Sequence, residues 1–262
     1  MRSERFTFPG YDGHELAARL DLPEGTPRAF AVLAHCFTCG KDLPIAHAIA
    51  STLARRGIAV LRFDFTGLGM SGGEFASTTF RSNAVDLVRA AGFLRTRYQA
   101  PTLLAGHSLG GAAVLAAARE IPEVTAVATI GAPSEPLHLA HLFSEHLHEL
   151  EDRGEAEFTL GGRTFRIRRQ FLDDIRTVRL VDDVNSLGRA LLVMHSPVDA
   201  VVEIQQARLL YEAARHPKSF VSLDTADHVL RKRRDAVYAA EVMASWAERY
   251  LPPIQGATEV RA

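Results

Sequence analysis

Two rhythms of apolar and polar positions alternate along this chain. Near-continuous apolar runs at Ala29 to Ala34, Ile58 to Phe63, Leu103 to Ala105, Val124 to Ile130 and Ala190 to His195 read as strands buried on both faces. Ser219 to Leu223 reads as the last strand. Between the runs lie helical spacings: Ile45, Ile49 and Leu53 closing on Gly57, then Phe80 to Tyr98, the Ala-rich run Ala112 to Ala118, Ala207 to Arg215 and Asp235 to Tyr250. Strand followed by helix, repeated, implies a parallel sheet with right-handed crossovers and helices on both faces. Two earlier strand-like runs, Arg5 to Phe8 and Glu15 to Leu22, flank the hairpin signal Pro9-Gly10-Tyr11-Asp12-Gly13 and should form an antiparallel edge. The expectation is an α/β fold whose main sheet has eight strands, mostly parallel.

The rhythm breaks at Glu135 and resumes at Ala190. Glu135 to Glu149 is helix-like, Glu155 to Arg169 reads as a hairpin around Gly161-Gly162, and Phe171 to Leu187 is helix-like again. That is far more chain than a crossover needs, so residues 135–189 read as an inserted helix-hairpin-helix cap. The core then comprises 1–134 and 190–253, and the patternless residues 254–262 read as a tail or linker remnant.

Chemistry concentrates where the Leu103 strand meets the Ala-rich helix, at Gly106-His107-Ser108-Leu109-Gly110. A Ser held in a sharp strand-to-helix turn is lifted out with its hydroxyl exposed, and small residues at Gly106 and Gly110 let strand and helix fold back on each other. Ser108 is therefore the candidate nucleophile. A serine hydroxyl needs a base, and the base an acid to hold its tautomer. Functional groups of parallel α/β sheets gather beyond the carboxyl ends of the strands. That rule selects Asp199, beyond the Ala190 strand, and His228, beyond the Ser219 strand. Asp224, Asp227 and Glu135 are the competing carboxylates. Attack on a carbonyl needs two N–H donors for the oxyanion, expected from Leu109 and from Phe37, with Cys36 as second choice in the loop after Ala34.

Composition narrows the class. Thirty Lys and Arg against 31 Asp and Glu give a net charge of −1, which directs the chain to neither nucleic acid nor an acidic surface. With no apolar signal core near Met1 and no long apolar run, the expectation is a cytoplasmic protein with no membrane partner. The two cysteines, Cys36 and Cys39, admit a redox pair or half a zinc site, but two packed thiols beside a functional loop is the favoured reading. Asp64 to Ser71 is glycine-containing but lacks the phosphate-loop pattern, and reads as a structural turn. His138, His141, His146 and His148 read as a solvated helix face, not a metal site, and Arg163, Arg166, Arg168 and Arg169 as a wet basic face or a means of steering anions.

With these residues placed, the chain resembles the α/β-hydrolase superfamily over almost its full length. The segments His35-Cys36-Phe37-Thr38-Cys39-Gly40-Lys41-Asp42, Arg62 to Gly69, Gly106 to Gly111 and His216 to Phe220 resemble bacterial hydrolases often fused to an OsmC-like domain. The chain ends at Ala262, as a stand-alone relative or as the hydrolase part of a longer one, and Cys36 stands where many such enzymes have Gly. The implied site is that of a serine esterase, and the expected activity is carboxylic ester hydrolysis through an acyl-enzyme, with short acyl groups weakly favoured because the cap's aromatic residues narrow the pocket. His107, Phe143, Phe165 and Phe171 are expected to line the substrate pocket. No cofactor is expected, the partner is a small-molecule ester, and oligomeric state is left open, a homodimer included. Thioester, amide or perhydrolytic chemistry on the same residues, or a non-catalytic binding or redox-sensing protein, are the alternatives.

Overall fold

The computed structural model describes residues 1–252, so the tail read at 254–262 lies outside the described residues. Strands β1 (Arg2–Pro9), β2 (Glu15–Leu22), β3 (Ala29–Ala34), β4 (Ile58–Phe63), β5 (Leu103–His107) and β6 (Ala126–Ile130) precede the break in rhythm. β7 (Glu155–Leu160) and β8 (Arg163–Arg168) fall within it, and β9 (Ala190–His195) and β10 (Lys218–Ser222) follow. Eight of them form one sheet in the order β1-β2-β4-β3-β5-β6-β9-β10, while β7 and β8 pair separately. Within the large sheet β2 runs antiparallel to both neighbours and every other pair is parallel, whereas β7 and β8 are antiparallel.

The helices are α1 (Pro44–Arg55), α2 (Phe80–Arg97), α3 (Leu109–Ala117), α4 (Leu147–Arg153), α5 (Arg169–Thr177), α6 (Leu180–Asn185), α7 (Ile204–Ala213) and α8 (Arg233–Ala247). β3 shows why its sequence is apolar throughout. Ala29, Ala31 and Leu33 point to the side covered by α1 and α8, while Phe30, Val32 and Ala34 point to the side covered by α2 and α3. Both faces of a central parallel strand are dry, so every position must be apolar. Among the described residues no helix is long and apolar enough to cross a membrane.

Residues 135–189 differ in detail from the sequence expectation. The first helix-like stretch is a run of 3-10 turns, Pro136–His146, bent at Phe143 and continued by α4. The second is two helices, because Val178 adopts extended backbone between α5 and α6. A tertiary contact sets this break: the Glu135 carboxylate accepts the N–H of Leu180, at the first turn of α6. The hairpin lies where it was expected and packs on the short turn Phe75–Ser77, while α5 packs on α2.

Candidate active site

Ser108 stands between β5 and α3 with φ 55° and ψ −125°, a region that a non-glycine residue occupies only when its surroundings enforce it. Close packing does the enforcing. A Cβ on Gly106 would lie 2.3 Å from the carbonyl oxygen of Gly110, and one on Gly110 would lie 2.3 Å from that of His35. The second approach also brings the loop after β3 against the turn.

The three side chains chosen from the sequence meet here. The Ser108 hydroxyl donates to Nε2 of His228 at 3.0 Å, and Nδ1–H of His228 donates to Oδ2 of Asp199 at 2.7 Å. The other oxygen of Asp199 accepts the N–H groups of Val201 and Val202, each at 2.9 Å. Burial pushes the Asp199 carboxyl up, but the bonds from His228 and from these N–H groups outweigh it and hold the carboxyl below the usual range. A fixed carboxylate selects the imidazole tautomer with Nδ1 protonated, which leaves Nε2 free to take the serine proton. Gly131, at the end of β6 with φ 56°, makes room for this pair: a Cβ there would stand 3.3 Å from both Asp199 Oδ2 and His228 Nδ1.

The competing carboxylates are engaged elsewhere. Asp224 bonds Ser222, Asp227 accepts the N–H of Arg231, and Glu135 serves α6. Among the described residues the N–H groups of Leu109, Cys36 and Phe37 have no protein acceptor, and these residues border one cavity of only about 10 Å³. Free donors on two adjacent loops are what a developing oxyanion requires.

His107, expected at the substrate pocket, lies beneath the loop that carries His228. It is buried, packs its ring on that of His228 with centroids 5.0 Å apart, and donates Nε2–H to the His228 carbonyl at 2.7 Å. Burial, then the neighbouring His228, pushes its pKa down to about 3, so it stays a neutral donor. Two further buried histidines do the same for the other loops. His195 donates to the carbonyl of Val202 at 2.8 Å, and His35 bonds the carbonyl of Cys36 at 2.8 Å while its Nε2 accepts the N–H of Phe65. Burial lowers the pKa of both. Each loop of the site is thus held by an uncharged imidazole beneath it.

Phe143, Phe165 and Phe171 are buried and join Phe37, Phe75 and Phe158 in one aromatic cluster. Phe158 and Phe75 were not singled out from sequence, although Phe158 faces Phe165 across the hairpin and its alternation with Ala156 marks an inward position. Cys36 and Cys39 are not free thiols: they form a disulfide. Asp64 to Ser71 wraps a carboxylate, not a phosphate, with Asp64 accepting the N–H groups of Lys41 and Met70. His138 is partly drawn inward and donates to the carbonyl of Val201, whereas His141 and His148 are exposed. The basic hairpin is neutralised locally, Arg166 by Glu157, Arg168 by Glu74 and Arg169 by Asp173.

Comparison with known proteins accords with this geometry. Residues 25–151 match the family model for serine aminopeptidase, S33, a span that carries the Phe37 loop and Ser108 but neither Asp199 nor His228. The esterase domain of a Rhodothermus marinus protein is 49% identical, covering 96% of this chain and all of that one, with a TM-score of 0.79. The chain belongs to the α/β-hydrolase superfamily. A monoglyceride lipase of Rattus norvegicus is 33% identical over 113 residues, which is 42% of this chain and 37% of the lipase. Est1E of Butyrivibrio proteoclasticus, solved with ferulic acid, shares the fold at 21% identity, with a TM-score of 0.74 over 91% of this chain and 98% of that one. For this α/β-hydrolase, the acid and the base lie outside the matched family span, so their assignment rests on the hydrogen-bonded row from Ser108 to Asp199.

Proposed function

We propose that this protein is a serine esterase that cleaves carboxylic esters of short acyl groups through an acyl-enzyme. The observation that carries the reading is the continuous row Ser108, His228, Asp199 beside unbonded N–H groups at Leu109 and Phe37. In the first half-reaction the Ser108 oxygen attacks the ester carbonyl as His228 Nε2 takes its proton. Charge gathers on the carbonyl oxygen, where the N–H groups of Leu109 and Phe37 stabilise it, while Asp199 stabilises the imidazolium. His228 then returns the proton to the leaving alcohol. Water, deprotonated by the same imidazole, releases the acid in the second half-reaction.

The short-acyl preference follows from crowding. Phe37 packs on Phe171 with centroids 5.4 Å apart and on Phe75 at 5.5 Å, and the cavity of about 10 Å³ bordered by Phe37, Phe75 and Leu109 leaves little room for a long chain beside the two N–H donors. Residues 135–189 act as a cap in this reading, since they supply Phe143, Phe158, Phe165 and Phe171 to that cluster. A fluorophosphonate probe tests the reading: the parent protein should be labelled at Ser108 and lose turnover of an activated acetate ester, whereas Ser108→Ala should stay folded and unlabelled. Labelling that persists in Ser108→Ala contradicts it.

A further inference from the structure

The Cys36–Cys39 disulfide has no part in acyl transfer as described, yet it encircles one of the donors assigned to it. The ring it closes, Cys36-Phe37-Thr38-Cys39, contains the N–H of Phe37. Within the ring Thr38 has φ 60°, the left-handed region that a β-branched residue occupies only when something holds it there. Local hydrogen bonds accompany the constraint: Cys39 N–H donates to the Cys36 carbonyl at 3.2 Å, and the Thr38 hydroxyl donates to the Phe37 carbonyl at 2.7 Å. The Phe37 ring is anchored separately, in the aromatic cluster against Phe171 and Phe158. Side chain and backbone of Phe37 are therefore fixed by different means, the backbone by the disulfide ring. The two sulfurs also differ in access, since Cys36 is 5% exposed whereas Cys39 is only partly buried.

We propose that Cys36–Cys39 is a redox modification site whose substrate is a dithiol, and that its oxidised form is the one competent for acyl transfer at Ser108. The proposal rests on the esterase reading above and adds a control to it. A thiolate of the dithiol attacks Sγ of Cys39, the Cys36–Cys39 bond breaks, and Cys36 leaves as a thiolate. The second thiol of the reductant then displaces Cys39 and closes the reductant's own disulfide. Two electrons and two protons pass to the protein, leaving two cysteine thiols. Opening the ring removes the covalent constraint on Thr38, which relaxes towards negative φ and turns the Phe37 N–H away from that of Leu109. Misdirecting one of two oxyanion donors lowers kcat and leaves the binding of ester in its ground state largely intact.

The test compares the parent protein before and after dithiothreitol, with thiols counted by the mass shift on maleimide addition and kcat and KM measured on an activated acetate ester. The expected result is a gain of two thiols, a fall in kcat of about tenfold to a hundredfold, KM within about threefold, and recovery after dithiol removal and addition of oxidised glutathione. Cys36→Ser/Cys39→Ser should sit at the reduced rate and ignore both reagents. If that variant does not fold, reduction and reoxidation of the parent decide alone. Two thiols with unchanged kcat overturn the proposal, as do a disulfide that resists dithiol in the folded protein, a faster reduced form, or a loss of rate that merely tracks loss of circular dichroism. Absence of both hydrolysis and fluorophosphonate labelling in the oxidised protein would instead sink the esterase reading, and this inference with it.

Discussion

The base of this site is held from three directions. Asp199 fixes one ring nitrogen of His228, the Ser108 hydroxyl meets the other, and His107 fixes its carbonyl from below. The first two contacts were legible in the sequence, because Ser108 lies in a contiguous motif and because Asp199 and His228 each follow a strand that reads clearly. The third was not. Nothing in the string Gly106-His107-Ser108 says that the imidazole turns under the sheet toward a loop 121 positions on. Gly131 was opaque for the same reason, since its value lies in what approaches it in space. His107→Ala should lower kcat on an activated ester about a hundredfold, because a misplacement of His228 on the order of 1 Å costs that much, while KM changes little. His107→Gln, which keeps an N–H donor, should recover part of the rate. Equal kcat in parent and Ala variant would remove His107 from any positioning role.

At the level of elements, the loops that leave the carboxyl ends of β3 and β4 are joined by a buried ion pair. The Lys41 ammonium reaches Asp64 at 2.7 Å, and the two side chains are 7% and 2% exposed. Beside it Arg62 pairs with Asp21 at 2.7 Å and donates to the Lys41 carbonyl. These contacts hold the segment that carries the Phe37 N–H. Asp64→Ala would leave the buried Lys41 ammonium with only the half-exposed Asp42, at 3.5 Å, and should reduce unfolding free energy by about 3 kcal/mol, as measured by urea denaturation. Lys41→Met/Asp64→Leu should recover much of that loss, and a mild effect of Asp64→Ala alone would show the pair to be solvated. Element type was well marked wherever burial on both faces forced an apolar run. It was poorly marked within 135–189, where the apolar spacing of Phe171, Leu172, Ile175, Leu180 and Val184 continues across a break made by Glu135. The cysteine pairing was equally hidden: spacing admits a disulfide, and only the fold of the loop brings the two sulfurs together.

Across the whole molecule, three buried neutral histidines make stability depend on pH. His35, His107 and His195 all have pKa values lowered mainly by burial, His107 to about 3. In the unfolded chain each imidazole takes up a proton below about pH 6.5, whereas in the folded protein each resists it. Their contribution is therefore complete above that pH and is lost as pH falls, each by up to about 1.4 kcal/mol per pH unit. Asp86, Glu135 and Asp183, whose carboxyls burial pushes upward, act in the opposite sense as their ordinary range near pH 4 is approached. The histidine signature is thus read between about pH 6.5 and 5. Denaturation midpoints should fall across that window, and His107→Gln should flatten the slope by about one proton. A level profile would contradict the burial and neutrality of these rings.

The central claim is that Ser108 and His228 act as one proton-passing unit, and the most direct measurement is kcat/KM on an activated short-chain ester for Ser108→Ala, His228→Ala and the double variant. Residues that work as a unit lose their function once. The account predicts that each single variant falls by about 10⁴-fold or more and that the double variant is no slower than either. Losses that multiply in the double variant, or a Ser108→Ala protein that retains the parent rate, would contradict it.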